Sequence, residues 1–152
     1  MALTLLHIGN KVALGYDDAT DERGFLTKAI NRTTHTSVKG EVVSASPTTD
    51  KELILQANEY DALGVVAEAG IAEGSEMWVW KGGSRAQVLF KDTVASTKGY
   101  IAIAADTDGR ATDIVVPVGS PGIDAHFKEI GHTCQSLTGG TNVLVLVDLH
   151  FN

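Results

Sequence analysis

Short apolar runs rich in β-branched residues, separated by glycine-containing turns, are the feature that most constrains the fold of this sequence. Sixteen glycines are spread over 152 residues, and they separate these runs in the way that turns separate the strands of an all-β protein. No long pattern of helical period lies between the runs. The sequence therefore predicts a mainly β fold, a small antiparallel β-barrel or sandwich, rather than alternating strands and helices. The runs predicted as strands are residues 38–45, 51–57, 63–68, 76–81, 85–90, 100–104, 114–118, 129–136 and 142–151.

Two turns in this pattern predict hairpins. Pro47 lies in the polar segment between the first two runs, where a proline favours a turn. Residues 81–84, Lys-Gly-Gly-Ser, form a tight-turn signal between the fourth and fifth runs. We therefore expect each of these two pairs of runs to form neighbouring antiparallel strands.

The first 37 residues differ from the rest of the chain. They show no sustained period of strand or helix, so the sequence predicts an extended N-terminal arm over residues 1–37 and a β-domain over residues 38–152. A short, marginal helix is expected from about residue 21 to residue 30. A terminus without fixed structure, or an extra edge strand, is the alternative to an arm. The apolar residues near the tip of the arm are Leu3, Leu5, Leu6 and Ile8.

Composition and charge narrow the classes of function. Twelve Lys and Arg against 19 Asp and Glu give a net charge of −7, which disfavours a nucleic-acid partner. The longest apolar stretches fall far short of the roughly 20 residues that span a bilayer, and the N-terminus lacks the basic flank of a signal peptide. We therefore expect a soluble protein without a membrane partner. The lone Cys134 excludes an internal disulfide and a multi-thiolate metal site.

Two groups of residues have the chemistry of metal ligands. Asp106 and Asp108 are spaced like the first two ligands of a calcium-binding loop, but residues suited to the later ligand positions of such a loop are missing. His126, His132 and His150 lie in the C-terminal third, where His126 and His132 would share one face of a continuous strand. Nothing in the sequence requires these histidines to converge, so an Asp-Gly turn and isolated strand histidines are the plainer interpretations.

The sequence also offers no convincing catalytic nucleophile. Cys134 and His132 are two residues apart and have no orienting acid, so Cys134 is better explained as a small buried residue. The glycine-rich segments 81–83 and 137–141 lack the strand-to-helix context of a phosphate loop. The sequence therefore predicts a protein that is not an enzyme, with no catalytic residue, no cofactor and no metal.

Trp78 and Trp80 form the main aromatic signal. At positions i and i+2 of a strand, their rings share one face, opposite Met77 and Val79. The rings are either a layer of the core or a subunit interface, because large aromatic residues dominate interface energetics.

Five segments of the chain resemble the capsid decoration, or cement, proteins that are encoded in the head-gene region of tailed bacteriophages. The first two segments read TTHTSVKGEVV, residues 33–43, and EAGIAEGSEMWV, residues 68–79. The others lie near the C-terminus and read FKEIGHT, GGTNVL and LHFN. The similarity covers roughly residues 33–152 and rests on pattern rather than on a catalytic signature.

This resemblance implies a structural virion protein on the outer surface of the mature head. It implies the major capsid protein as partner, assembly as homotrimers on the capsid, and an arm that uses Leu3, Leu5, Leu6 and Ile8 to contact the shell. Two alternatives stay open. One is another virion role, as the base of a head fibre or a tail component, and the other is a small metal-dependent enzyme or ligand-binding barrel.

Overall fold

A computed structural model describes residues 3–57, 61–115 and 127–151. His126 and positions 116–118 of the predicted strand 114–118 lie outside the described residues, as do the first two residues of the predicted arm. Within the described ranges, no helix is long and apolar enough to cross a membrane. The described strands are β1 (Thr4–His7), β2 (Val12–Asp17), β3 (Glu22–Asn31), β4 (Val42–Ala45), β5 (Glu52–Leu55), β6 (Gly64–Val66), β7 (Glu76–Trp80), β8 (Arg85–Leu89), β9 (Ile101–Ala104), β10 (Ala111–Ile114), β11 (Glu129–Thr133) and β12 (Leu144–Leu149).

The strands form one sheet, which confirms the prediction of a mainly β, antiparallel fold. The order is β10-β9-β11-β12-β8-β3-β5-β4-β6-β7, with β2 beside β3 and β1 beside β2. Among the described strand pairs, β3 and β5 are parallel and the others are antiparallel. Because β3 also pairs with β7, the pairings of β3, β5, β4, β6 and β7 form a closed circuit.

Eight of the nine predicted strands are present. Of the ninth, predicted over residues 114–118, Ile114 is the last residue of β10 (Ala111–Ile114) and Val115 lies outside the strand, while positions 116–118 are not among the described residues. The chain reverses at Gly109, and Ala111 then pairs at once with Ala104 of β9. The turn therefore starts the strand three residues before the valine-rich run that suggested it.

The hairpin across Pro47 is confirmed, whereas the hairpin across residues 81–84 is wrong. Strands β4 and β5 pair antiparallel, with Val43 opposite Leu55. Strands β7 and β8 instead run in line along the same neighbour, β3. Ser84 bridges the interruption between them, since its Oγ accepts a hydrogen bond from the Phe25 N–H at 2.9 Å and donates one to the Phe25 carbonyl at 3.1 Å.

The N-terminal segment belongs to the sheet. The helix predicted over residues 21–30 is wrong, because Glu22–Asn31 is the ten-residue strand β3, which pairs with β2, β5, β7 and β8. The structure does not show an extended arm over residues 1–37, since β1, β2 and β3 occupy most of that segment. Strand β1, which pairs with β2, fits the alternative of an extra edge strand.

Strand β7 separates two clusters of buried apolar residues. Trp78 and Trp80 join the larger cluster, while Met77 and Val79 join the smaller one. The predicted division of this strand into two faces is therefore confirmed, and both faces are buried.

Candidate functional site

Six large apolar side chains are exposed on the N-terminal part of the sheet. Three project from β2, one from β3 and two from β1 and the turn that follows it, and their exposed fractions range from 37% to 63%. Contiguous apolar surface of this kind usually marks an interaction site on a soluble protein. We call it the outer apolar face; its residues are Leu6, Ile8, Val12, Leu14, Tyr16 and Phe25.

The strand register makes this face continuous. Leu14 lies opposite Leu6 on one side and opposite Phe25 on the other, so a row of three apolar residues crosses three strands. Tyr16 lies opposite Arg23 in the next row along β2. Residues directly opposite each other in a sheet have Cβ atoms about 4.5–5.5 Å apart, close enough for their side chains to touch.

The reverse side of β2 explains why the large residues point outward. Its inward positions carry Ala13, Gly15 and, at the end of the strand, Asp17, and all three are buried. A Cβ added at Gly15 would overlap the Leu26 side chain and would lie 3.3 Å from the Trp80 ring. Only a glycine therefore fits at position 15 without displacing the core.

The four apolar residues of the predicted arm divide between the two sides of the sheet. Leu3 and Leu5 are partly buried and pack against the larger core cluster. Leu6 and Ile8 are on the outer apolar face, with exposed fractions of 58% and 63%. The predicted contact set therefore contains two residues available to a partner and two that attach the strand to the core.

Sequence reasoning missed the other four residues of this face. A signal was present, because Val12, Leu14 and Tyr16 alternate with Ala13 and Gly15 at the period of a strand. The pattern is inverted, with the larger side chains on the solvent side. An inversion of this kind indicates that the exposed side serves a purpose other than core packing.

Trp78 and Trp80 are core residues in this structure. Trp80 has no exposed surface and Trp78 is 6% exposed. A charged group covers one side of Trp78, since Lys28 Nζ lies 5.1 Å from the centre of the Trp78 ring. The core interpretation of the pair therefore holds, and a subunit interface built on exposed indole rings has no support in the single chain.

A charged pair borders the outer apolar face. Arg23 lies opposite Tyr16, and its Nη1 lies 3.2 Å from Asp21 Oδ1. Exposed pairs of this kind contribute little to stability. This pair gives one edge of the face a charged border, which resembles the polar rim around the apolar centre of protein interfaces.

The acidic turn and the cysteine have plain structural explanations. Asp106 Oδ1 accepts a hydrogen bond from Lys91 Nζ at 2.7 Å, and this lysine lowers the pKa of the Asp106 carboxyl. Burial, with a further contribution from Asp148, raises the pKa of the Cys134 thiol. A raised pKa disfavours the thiolate that a nucleophile requires.

Two of the three candidate histidines meet. His132 Nδ1 lies 2.6 Å from His150 Nε2, and Glu129 Oε1 lies 3.4 Å from the same His150 nitrogen. One ligand atom from each of Glu129, His132 and His150 lies within 4.8 Å of the other two, which is close enough for the three to hold one metal ion. His132 and His150 were among the candidate metal ligands recognised in the sequence, whereas Glu129 was not.

Comparison with known proteins does not assign the chain to a family. No protein-family model matches it, and no curated protein is significantly similar to it.

Proposed function

We propose that this chain is a capsid decoration protein, a structural virion protein that binds the outer surface of the mature phage head through the outer apolar face. The observation that carries this proposal is the face itself, with six large apolar side chains turned to solvent on β1 to β3. Burial of such surface is the main favourable term in protein association. The resemblance of the sequence motifs to those of decoration proteins supports the choice of a phage head as the partner.

The occupant of the face is the major capsid protein rather than a second copy of this chain. The net charge of −7 makes two free copies repel each other at long range. This repulsion opposes association of the free protein through its own apolar face. Homotrimers then form on the capsid, where the symmetry of the shell brings three copies together.

The face offers two kinds of contact. Tyr16 and Phe25 are aromatic, and aromatic side chains are enriched at the centres of protein interfaces. Strand β1 pairs with β2 on one side, and its other edge can accept a strand of the capsid protein by main-chain hydrogen bonds. Several copies on one shell add avidity to these contacts.

In this proposal the β1–β2 hairpin, rather than an extended arm, contacts the capsid shell. Leu6 and Ile8 contact the shell, while Leu3 and Leu5 fix the hairpin to the core. The closed circuit of pairings through β3, β5, β4, β6 and β7 supports the further proposal that this part of the sheet is a small barrel.

The test is binding to heads of the encoding phage that have been purified without this protein. We expect saturable co-sedimentation at a fixed ratio to the major capsid protein, together with greater resistance of the heads to heat. Absence of binding to heads, with binding to tails or fibres, would overturn the proposal in favour of another virion role. Sedimentation velocity of the free protein separates these outcomes from self-association, since a stable oligomer formed through the face would overturn the choice of occupant.

A further inference from the structure

The cluster of Glu129, His132 and His150 is formed by a distortion of strand β11. In a regular strand, residues three apart point to opposite faces of the sheet. Here Glu129 pairs with Ile103 of β9 while Gly131 pairs with Ala102, so β11 advances two residues while β9 advances one. This β-bulge turns Glu129 and His132 to the same side.

Gly131 holds the bulge in place. Gly131 has a φ of 159°. It also packs closely against β12, where an added Cβ would overlap the Asp148 carbonyl oxygen. Ile130 and Gly131 are both buried, whereas Glu129 and His132 on either side are partly exposed. Bulges are frequently found beside functional sites, because they redirect a side chain.

His150 enters the cluster from the residue that follows β12. Its backbone N–H donates to the Ile130 carbonyl at 2.9 Å, which fixes the position of the chain beside the bulge. Its ring centre lies 4.7 Å from that of His132, with 36° between the planes. Two imidazoles from neighbouring chain segments thus present ring nitrogens to the same point.

We propose that Glu129, His132 and His150 bind a divalent transition-metal ion, with Zn²⁺ the ion that fits them best. This inference is independent of the capsid-binding role. Imidazole nitrogen and carboxylate oxygen are ligands for zinc, and two histidines with one glutamate form a known type of three-ligand site. Calcium and magnesium prefer sites built of oxygen, so the two imidazoles select against them.

The ring nitrogens of His132 and His150 lie closer together than they would when both bind one zinc ion. With zinc–nitrogen bonds of about 2.0–2.1 Å and tetrahedral angles, the two nitrogens would lie roughly 3.3 Å apart. The present separation is 2.6 Å. Small rotations of the rings suffice for this opening, since the His150 side chain is 44% exposed. The fourth position of the ion is left to water or to a ligand from another molecule.

A bound ion would connect β11 to the chain segment that follows β12. Metal binding to the folded state alone raises stability by mass action. The ion would therefore act as a clip that holds the end of β12 in the sheet.

Zinc titration of the untagged protein, in competition with a chromophoric chelator, tests the proposal. We expect one Zn²⁺ per chain. Loss of a partner that only supports a ligand typically costs about 10–100-fold in metal affinity, so we expect His132→Ala and His150→Ala to weaken binding by at least about 100-fold. For Glu129→Gln, which keeps a neutral oxygen, we expect a loss nearer tenfold.

His35→Ala is the matched control, because His35 pairs with Glu41 elsewhere in the fold. It should bind zinc like the wild type, and zinc should raise the Tm of both. Circular dichroism of each variant checks that it folds. The proposal would be overturned if the folded wild type did not bind Zn²⁺, if either histidine variant bound it with wild-type affinity, or if His35→Ala lost binding to the same extent.

Discussion

Leu14 of β2 lies directly opposite Phe25 of β3, and both side chains project from the sheet into solvent. The next pair along the same two strands, Ala13 and Leu26, is fully buried on the other side. The two strands thus present apolar residues on both faces. Packing of the core accounts for one face only, and the other is the face through which we propose that the protein binds the capsid.

The outer apolar face should be dispensable for folding. We expect the double variant Leu14→Ser/Phe25→Ser to change the free energy of unfolding by no more than about 1 kcal/mol, because surface substitutions have small effects. Leu26→Ala, on the inner side of β3, should cost about 2–5 kcal/mol. Urea unfolding measures both, and a double variant as unstable as Leu26→Ala would show that the face is part of the core.

Leu5 and Leu6 provide a matched comparison of the two faces of β1. They are adjacent and chemically identical, but Leu5 packs against the core while Leu6 is exposed. We expect Leu5→Ser to lower the free energy of unfolding by about 1–3 kcal/mol and Leu6→Ser by about 0.5 kcal/mol or less. Equal losses of stability in the two variants would contradict the orientation of β1.

The tryptophan pair should behave as core. We expect Trp78→Ala and Trp80→Ala each to cost about 3–5 kcal/mol in chemical unfolding. Trp80→Phe should cost less than Trp80→Ala, since it keeps an aromatic ring and removes a buried indole N–H that has no hydrogen-bond partner among the described residues. If the alanine variants kept the wild-type unfolding midpoint but lost association between subunits, the result would favour a subunit interface at Trp78 and Trp80 over a core role.

Acid should weaken the contribution of the ion pair between Arg85 and Asp148. Arg85 Nε lies 2.6 Å from Asp148 Oδ1, and this pairing holds the pKa of the Asp148 carboxyl below its usual range. A lowered folded-state pKa gives stability that is present above the unfolded pKa, about 3.9 for aspartate, and is lost as pH falls through the folded value.

We therefore expect Asp148→Asn to lower the free energy of unfolding at pH 7 by up to about 1 kcal/mol, since the pair is partly exposed. The difference from the wild type should begin to shrink near pH 4 and disappear once the pH has fallen below the lowered folded-state pKa of Asp148. Asp18→Asn, at an exposed turn, makes the same change of net charge and serves as the control. A difference that stayed constant down to the lowest pH would contradict this account.

Much of the sheet was predictable because its strands carry β-branched residues between turn residues. The β4–β5 hairpin and the two faces of β7 follow from local pattern alone. The N-terminal strands were missed because the inward side of β2 is made of the small residues Ala13 and Gly15 and the polar Asp17, while its large apolar residues face solvent. Strand prediction by alternation assumes that large apolar residues point inward, and here they do not.

The sequence also could not show which distant residues meet. Residues 81–84 carry the composition of a hairpin turn, yet β7 and β8 both follow β3, because Ser84 continues the hydrogen bonding of Phe25. Glu129 and His132 share a face only because of the bulge at Gly131. Such features depend on the neighbouring strands and leave no periodic signal in the sequence.

The most direct test of the proposed capsid role is co-sedimentation of Leu14→Ser/Phe25→Ser with mature heads, free of this protein, of the phage that we propose encodes it. We predict that the wild type binds to saturation and that the folded double variant loses binding by at least about tenfold, as expected when two exposed apolar anchors are removed from an interface. His35→Ala, which leaves the outer apolar face intact, should bind like the wild type. Wild-type binding by the double variant would contradict the claim that this face attaches the protein to the capsid.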